Sequence, residues 1–261
     1  YSFFFFAIFH YSHLMPIHNI YKPLGWSPLD AVSEFRKRFP EHKDAPITYA
    51  GRLDPMAEGV LILLSGEERF EKPAFQKLNK TYKATFLFGV SSDTYDSLGL
   101  VTRSKITQVV SSDQITDTLL GTHNLPFPPY SSYRIKGKPL HYWALQGKLD
   151  EVEIPEKEMT VLNISHVKIS KRSIDEIKQD VFNRIDQVKG DFRQDQIIEQ
   201  WGQLEVNKTL SLAHCTLTVT SGTYIRSLAH EMGHSLGGGA LLLSLMRTSV
   251  GEYEVEDSVR F

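Results

Sequence analysis

The residues best suited to chemistry in this sequence lie in one short segment, Ala50-Gly51-Arg52-Leu53-Asp54-Pro55-Met56-Ala57-Glu58-Gly59-Val60-Leu61. A proline fixes its own φ and biases the preceding residue towards extended conformations, so Pro55 stiffens the backbone that carries the Asp54 carboxylate. Gly51 and Gly59 bracket the turn. A carboxylate held this way can be aimed at a ligand with little entropy left to lose, as a nucleophile or a base. Arg52 is near enough in sequence to favour its charged form. Taken alone, an Asp-Pro pair is most often a surface turn.

Two further segments bear chemistry. Arg134, Lys136, Lys138 and His141 interleave with Tyr130, Tyr133, Tyr142 and Trp143, and Lys77, Lys80 and Lys83 cluster earlier. Cations among aromatic rings suit phosphates and unstacked bases, although a solvated charged loop is about as common. His230-Glu231-Met232-Gly233-His234 matches H-E-x-x-H, which on a helix puts two histidines of a zinc protease on one face with the glutamate as base. The extended form of that motif needs a third histidine, and that position is Ala240. The match reads as coincidental and the histidines as a polar helix face, so no metal is expected. Stoichiometric zinc, lost with His230→Ala, would revive the protease.

The Asp54 segment resembles the catalytic motif of the pseudouridine synthases, Gly-Arg-Leu-Asp-Pro followed by Gly-Val-Leu. Other segments resemble the TruB-type family in its order along the chain. They are Lys22-Pro23-Leu24-Gly25-Trp26-Ser27, Lys80-Thr81-Tyr82, Asp93-Thr94-Tyr95-Asp96-Ser97-Leu98-Gly99, Tyr130-Ser131-Ser132-Tyr133-Arg134-Ile135-Lys136-Gly137 and Ser221-Gly222-Thr223-Tyr224-Ile225-Arg226-Ser227-Leu228. The resemblance implies an RNA isomerase acting on the T-stem-loop of tRNA at uridine 55, without cofactor or metal, as a monomer in the cytoplasm. It implies Asp54 as the nucleophile, buried and paired with Arg226, and Tyr82 stacked on the flipped base. Tyr224 and Leu245 would wall the pocket, and Lys22, Arg134 and Lys136 would contact the substrate. Tyr49 stands where many members have a histidine that touches RNA; it can still stack and donate a hydrogen bond. The C-terminal RNA-binding module of many members is expected to be absent, since the chain stops at Phe261. A non-catalytic RNA-binding or tRNA-folding protein is the rival reading in another class.

These residues need a scaffold, and composition allows one. The 261 residues are 41% hydrophobic and 23% charged, ordinary for a globular chain. The single cysteine, Cys215, excludes a disulfide framework or a multi-cysteine zinc site and suits a reducing compartment. The net charge of −2 counts against RNA binding in the sum but leaves room for a local basic face. The opening run YSFFFFAIF is too short to span a membrane. Residues 1–14 are expected to be an extension outside the fold, with translation starting at Met15 and the catalytic domain covering 15–261.

The hydrophobic pattern predicts an α+β fold, a mixed or antiparallel sheet flanked by helices, and the composition shift at about 121–155 predicts an insertion; the resemblance implies that this is the pseudouridine synthase fold and that the insertion grips RNA. A helix should start at Ser27-Pro28, bury Leu29, Val32, Phe35 and Phe39, and stop at Pro40. Residues 17–21 are expected to be extended, and the apolar run 60–64 fits strand or helix. Strands are predicted at 81–88, 161–170 and 214–220, and a loop at 89–99. Helix is predicted over 172–204 with a break near Gly190, over 224–236 up to the Gly237-Gly238-Gly239 stop, and over 240–246.

Overall fold

The structure, a computed structural model, describes residues 16–104 and 111–261. The expected extension at 1–14 and the start at Met15 lie outside the described residues. In chain order the elements are β1 (Ile17–Lys22), α1 (Pro28–Arg38), β2 (Ile47–Ala50), β3 (Ala57–Ser65), α2 (Lys72–Lys77), β4 (Lys80–Phe88), β5 (Val90–Ser92), β6 (Val101–Arg103), α3 (Ser112–Leu119) and β7 (Gly121–Pro126). There follow β8 (Arg134–Ile135), β9 (Lys138–Pro139), α4 (Leu140–Leu145), β10 (Glu156–Ser173), α5 (Ile174–Ile185), α6 (Gln194–Gln203), β11 (Thr209–Val219), α7 (Ile225–Ser235), β12 (Ala240–Val250) and β13 (Tyr253–Glu254).

One mixed sheet organises the fold, in the order β1-β3-β12-β4-β11-β10-β7, with β2 added on β3 and β13 on β12. Among the strands of the described residues one pairing is parallel, β3 with β12, through Leu245↔Ala57, Met246↔Glu58 and Arg247↔Gly59. The other pairings are antiparallel. The central strands are covered on both faces. Phe86 and Leu217 pack with Ile115 of α3 and Leu228 and Met232 of α7. Leu87, Leu212 and Leu241 pack with Ile177 and Val181 of α5 and Ile197 and Trp201 of α6. Among the described residues no helix is long and apolar enough to cross a membrane.

The start of α1 follows from its cap. The Ser27 hydroxyl accepts from the Asp30 N–H, and the Asp30 carboxylate accepts from the Ser27 N–H at 2.8 Å, so two otherwise orphaned donors are satisfied. Ala31, Val32 and Phe35 are buried, but Leu29, in the first turn, is 67% exposed, contrary to the expected face. The run at 60–64 is strand β3, buried on both sides.

The expected helix at 240–246 is instead β12, the strand between β3 and β4. Leucine favours helices on its own, but an apolar run buried on both faces needs sheet partners, and β4 supplies them from Ala240↔Phe88 to Val250↔Lys80. Likewise Arg172 and Ser173 end β10 rather than begin a helix; Ser173 caps α5 by the same reciprocal bonding with Glu176. The segment expected to be a loop at 89–99 holds β5, paired with β6. The protrusion is narrower than 121–155, because Gly121–Pro126 is strand β7 on the main sheet; the hairpin β8–β9 and α4 stand beyond it.

Candidate active site

Asp54 sits in the loop between β2 and β3, and that loop is held from several directions. Arg247 of β12 is 1% exposed. Its Nε donates to the Val60 carbonyl at 2.7 Å, and its two Nη groups donate to the Gly51 and Arg52 carbonyls at 3.2 Å. The Gly25 N–H donates to the Pro55 carbonyl at 2.8 Å, and the Ala57 N–H to the Asp54 carbonyl at 3.0 Å. Gly59 has φ +106°, and a Cβ there would lie 2.2 Å from the Arg247 carbonyl oxygen, so only glycine lets β3 approach β12 this closely.

The Asp54 carboxylate faces the second residue of α7. Arg226 Nε lies 2.8 Å from Asp54 Oδ2 and 3.7 Å from Asp96 Oδ2. Arg226 is 5% exposed, while the Asp54 side chain keeps 42% of its surface open. The expected buried aspartate is therefore corrected: the guanidinium is the buried partner, because the stiff turn carries Asp54 to the edge of a cavity. Burial opposes the Arg226 charge, but Asp54 and then Asp96 raise its pKa above the ordinary value. Its Nη1 donates to the Thr94 carbonyl at 3.0 Å.

Asp96 is buried, and sequence reasoning gave it no role. Its Oδ1 accepts from the Thr94 hydroxyl at 2.7 Å and from the Leu98 N–H at 2.9 Å. Burial, helped by the Asp54 charge and opposed by Arg226, pushes its carboxyl up to about 6. Arg247 was also missed as a loop anchor. Its one signal was a charged residue inside an apolar run, the pattern of a buried cation with carbonyl partners.

The cavity has a volume of about 900 Å³. Asp54, Tyr82, Tyr224, Arg226 and Leu245 all line it, as do Asp96 and Arg247. Tyr82 points in from β4 and is 7% exposed. Tyr224 precedes α7, meets Phe127 edge-on at 5.5 Å, and has its phenol pushed up by burial and then by Asp54. Leu245 lies opposite Ala57 and Ala84. Arg52, Lys80 and Lys157 add positive charge to the rim. The Lys80 ammonium donates to the Gln76 and Leu78 carbonyls, and burial, with Arg247 and Lys157 nearby, lowers it to about 8. Lys83, an odd number of residues along β4, points to the other face.

Four expected contact residues do not line this cavity. Lys22 is fully buried: its ammonium donates to the Pro23 and Trp26 carbonyls at 2.9 and 2.6 Å, and burial lowers it to about 7 despite the Asp54 charge. It braces the segment behind the Asp54 loop and is closed to substrate. Tyr49 lies in β2, packed in the cluster of Phe35 and Leu63, with the Lys72 ammonium 5.3 Å above its ring. Arg134 donates to the Gly137 carbonyl at 2.8 Å within the β8–β9 hairpin, and Lys136 to the Glu151 carbonyl at 3.0 Å. Both belong to the protrusion rather than the cavity wall.

His230 and His234 share a face of α7, Nε2 to Nε2 3.1 Å, with Tyr95 stacked on His230 at 3.8 Å. Burial and then His234 lower His230 to about 4. Glu231 lines a separate cavity of about 230 Å³ with Met232 and Ser235. The glutamate is thus not placed as a base beside the histidine pair, and among the described residues no group of three ligating side chains forms there.

Residues 37–190 match the family model described as TruB family pseudouridylate synthase (N terminal domain). Over 246 residues the chain is 28% identical to the tRNA pseudouridine synthase B of Dehalococcoides mccartyi, covering 93% of this chain and 67% of that protein. It is 28% identical to the protein of the same name from Thermotoga maritima, covering 92% and 64%, and 31% identical to that from Corynebacterium efficiens, covering 91% and 68%. The chain thus spans about two thirds of the length of these curated relatives. In structure it is similar to a chain of a Cbf5-Nop10-Gar1 complex, with a TM-score of 0.55 and 19% identity, over 94% of this chain and 52% of that one.

Proposed function

This chain belongs to the TruB family of pseudouridylate synthases and has a pseudouridine synthase fold, and from that premise we propose that it isomerises uridine 55 in the T-loop of tRNA to pseudouridine, with Asp54 as the reacting carboxylate. The observation that carries this reading is the ion pair itself: Asp54 opens to the cavity of about 900 Å³ while its guanidinium partner is buried 2.8 Å behind it.

The reaction breaks the N1–C1′ bond, turns the uracil and joins C5 to C1′. C5 gives up its hydrogen as a proton and N1 gains one, so atoms and electrons balance without an oxidant or reductant. Asp54 can begin by attacking C6 or C1′ or by taking a sugar proton, and each route starts from the carboxylate that Arg226 faces at 2.8 Å. Extruding the base from its stack costs a few kcal/mol. Stacking on an aromatic ring returns about 1–3 kcal/mol, which is the part Tyr82 plays, with Tyr224 and Leu245 closing the sides. Arg134 and Lys136 on the protrusion grip the RNA outside the cavity, and the enzyme acts as a monomer in the cytoplasm.

The test is to incubate the protein with unmodified tRNA transcripts and ribosomal RNA fragments and to map pseudouridine at single-nucleotide resolution. Product at the T-loop uridine of tRNA is expected. Product confined to ribosomal RNA, or RNA binding with no product, overturns the substrate or the activity.

A further inference from the structure

The turn at 186–193, between α5 and α6, forms part of the cavity wall, and Asp191, Phe192 and Arg193 all line it. None of these residues belongs to the motifs that pointed to Asp54. The turn is tied at both ends. The Lys189 N–H donates to the Gly25 carbonyl at 2.9 Å, and Gly25 in turn holds the Pro55 carbonyl beside Asp54. At the other end Arg193 Nη1 pairs with Asp93 Oδ2 at 2.8 Å, and its guanidinium lies 4.4 Å over the Tyr130 ring. Inside the turn, Gln194 donates to the Gly190 carbonyl at 2.6 Å and accepts from the Phe192 N–H at 2.7 Å. Gly190 has φ +93°, and a Cβ there would come within 3.3 Å of the Phe192 ring, so the ring is seated over the glycine.

All this fixing leaves Phe192 37% exposed. A ring fixed by these contacts and open to the cavity meets an occupant in a set position, with little conformational entropy left to lose. The occupant's chemistry follows from its neighbours. Asp191 repels a phosphate, and the charge of Arg193 is already taken by Asp93. What the turn offers is a π face, and the matching partner is a nucleobase. The cavity, at about 900 Å³, lies near the top of the range of about 300–1,000 Å³ that suits ligands much larger than one base.

We infer that Phe192 is a stacking platform for a second nucleotide of the RNA, one that flanks the uridine at Asp54. The inference rests on the RNA-isomerase reading above, and its test separates the two. Two T-stem-loop RNAs carry 2-aminopurine, one on each side of the target uridine, and are bound to the Asp54→Asn protein. One of them should lose fluorescence on binding, and the loss should disappear when Phe192→Ala is added and return with Phe192→Tyr. With Asp54 intact, Phe192→Ala should raise KM by about five- to a hundredfold with kcat little changed, while Phe192→Tyr stays near wild type. Wild-type KM and undiminished quenching in Phe192→Ala overturn the platform and leave the isomerase standing. A wild-type protein that neither binds nor modifies the RNA overturns both.

Discussion

Arg226 is a cation at the positive end of α7, a position the helix dipole disfavours. It stays there because two carboxylates face it, Asp54 from the loop after β2 and Asp96 from the segment after β5. Asp96 has the more costly environment, and its carboxyl moves from its ordinary 3.8 to about 6. The folded protein therefore keeps a proton that the unfolded chain releases between those values, so this group's stabilisation is full below about pH 4 and is lost as pH rises through 6. Denaturant melts of wild type and Asp96→Asn across pH 4–7 should show the wild-type advantage shrinking by about 2 kcal/mol as pH rises. A difference that stays flat contradicts the burial argument. Asp54, Tyr82, Tyr224 and Arg226, which meet at the cavity, lie in short motifs; Leu245 lies outside them and was read only from the resemblance. Lys22 misled because a motif says which residue stands in line and not which way it points. Asp96 and Arg247 take their roles from contacts distant in sequence.

Among the elements, β3 and β12 matter most, since their parallel pairing fixes the Asp54 loop against Leu245 and Arg247. The close approach at Gly59 is its weak point. Gly59→Ala combines a positive φ with a Cβ 2.2 Å from the Arg247 carbonyl oxygen. The cost should be at least about 3 kcal/mol, a fall in Tm of about 6 °C or more by thermal melt. A variant melting with wild type would show that the strands can part without consequence. The caps of α1 and the strand at β4 could be read from local chemistry. β12 could not: a leucine-rich run looks helical until its neighbours on both sides are known.

At the scale of the molecule, the net charge of −2 hides a cavity rimmed by Arg52, Lys80 and Lys157. Parts distant in the chain meet around it, among them the Asp54 loop, β4, the segment after β5, the start of α7 and the turn before α6. The α+β class followed from pattern, but the meeting of these parts is a property of sheet order, which no single segment encodes. The central claim is that one carboxylate drives exchange at C5 of a uridine. It is tested by supplying RNA tritiated at uridine C5 and measuring tritium released to water. Wild type should release it at the target uridine, and Asp54→Asn, folded and still binding the RNA, should release none. Release by Asp54→Asn at the wild-type rate would contradict the account.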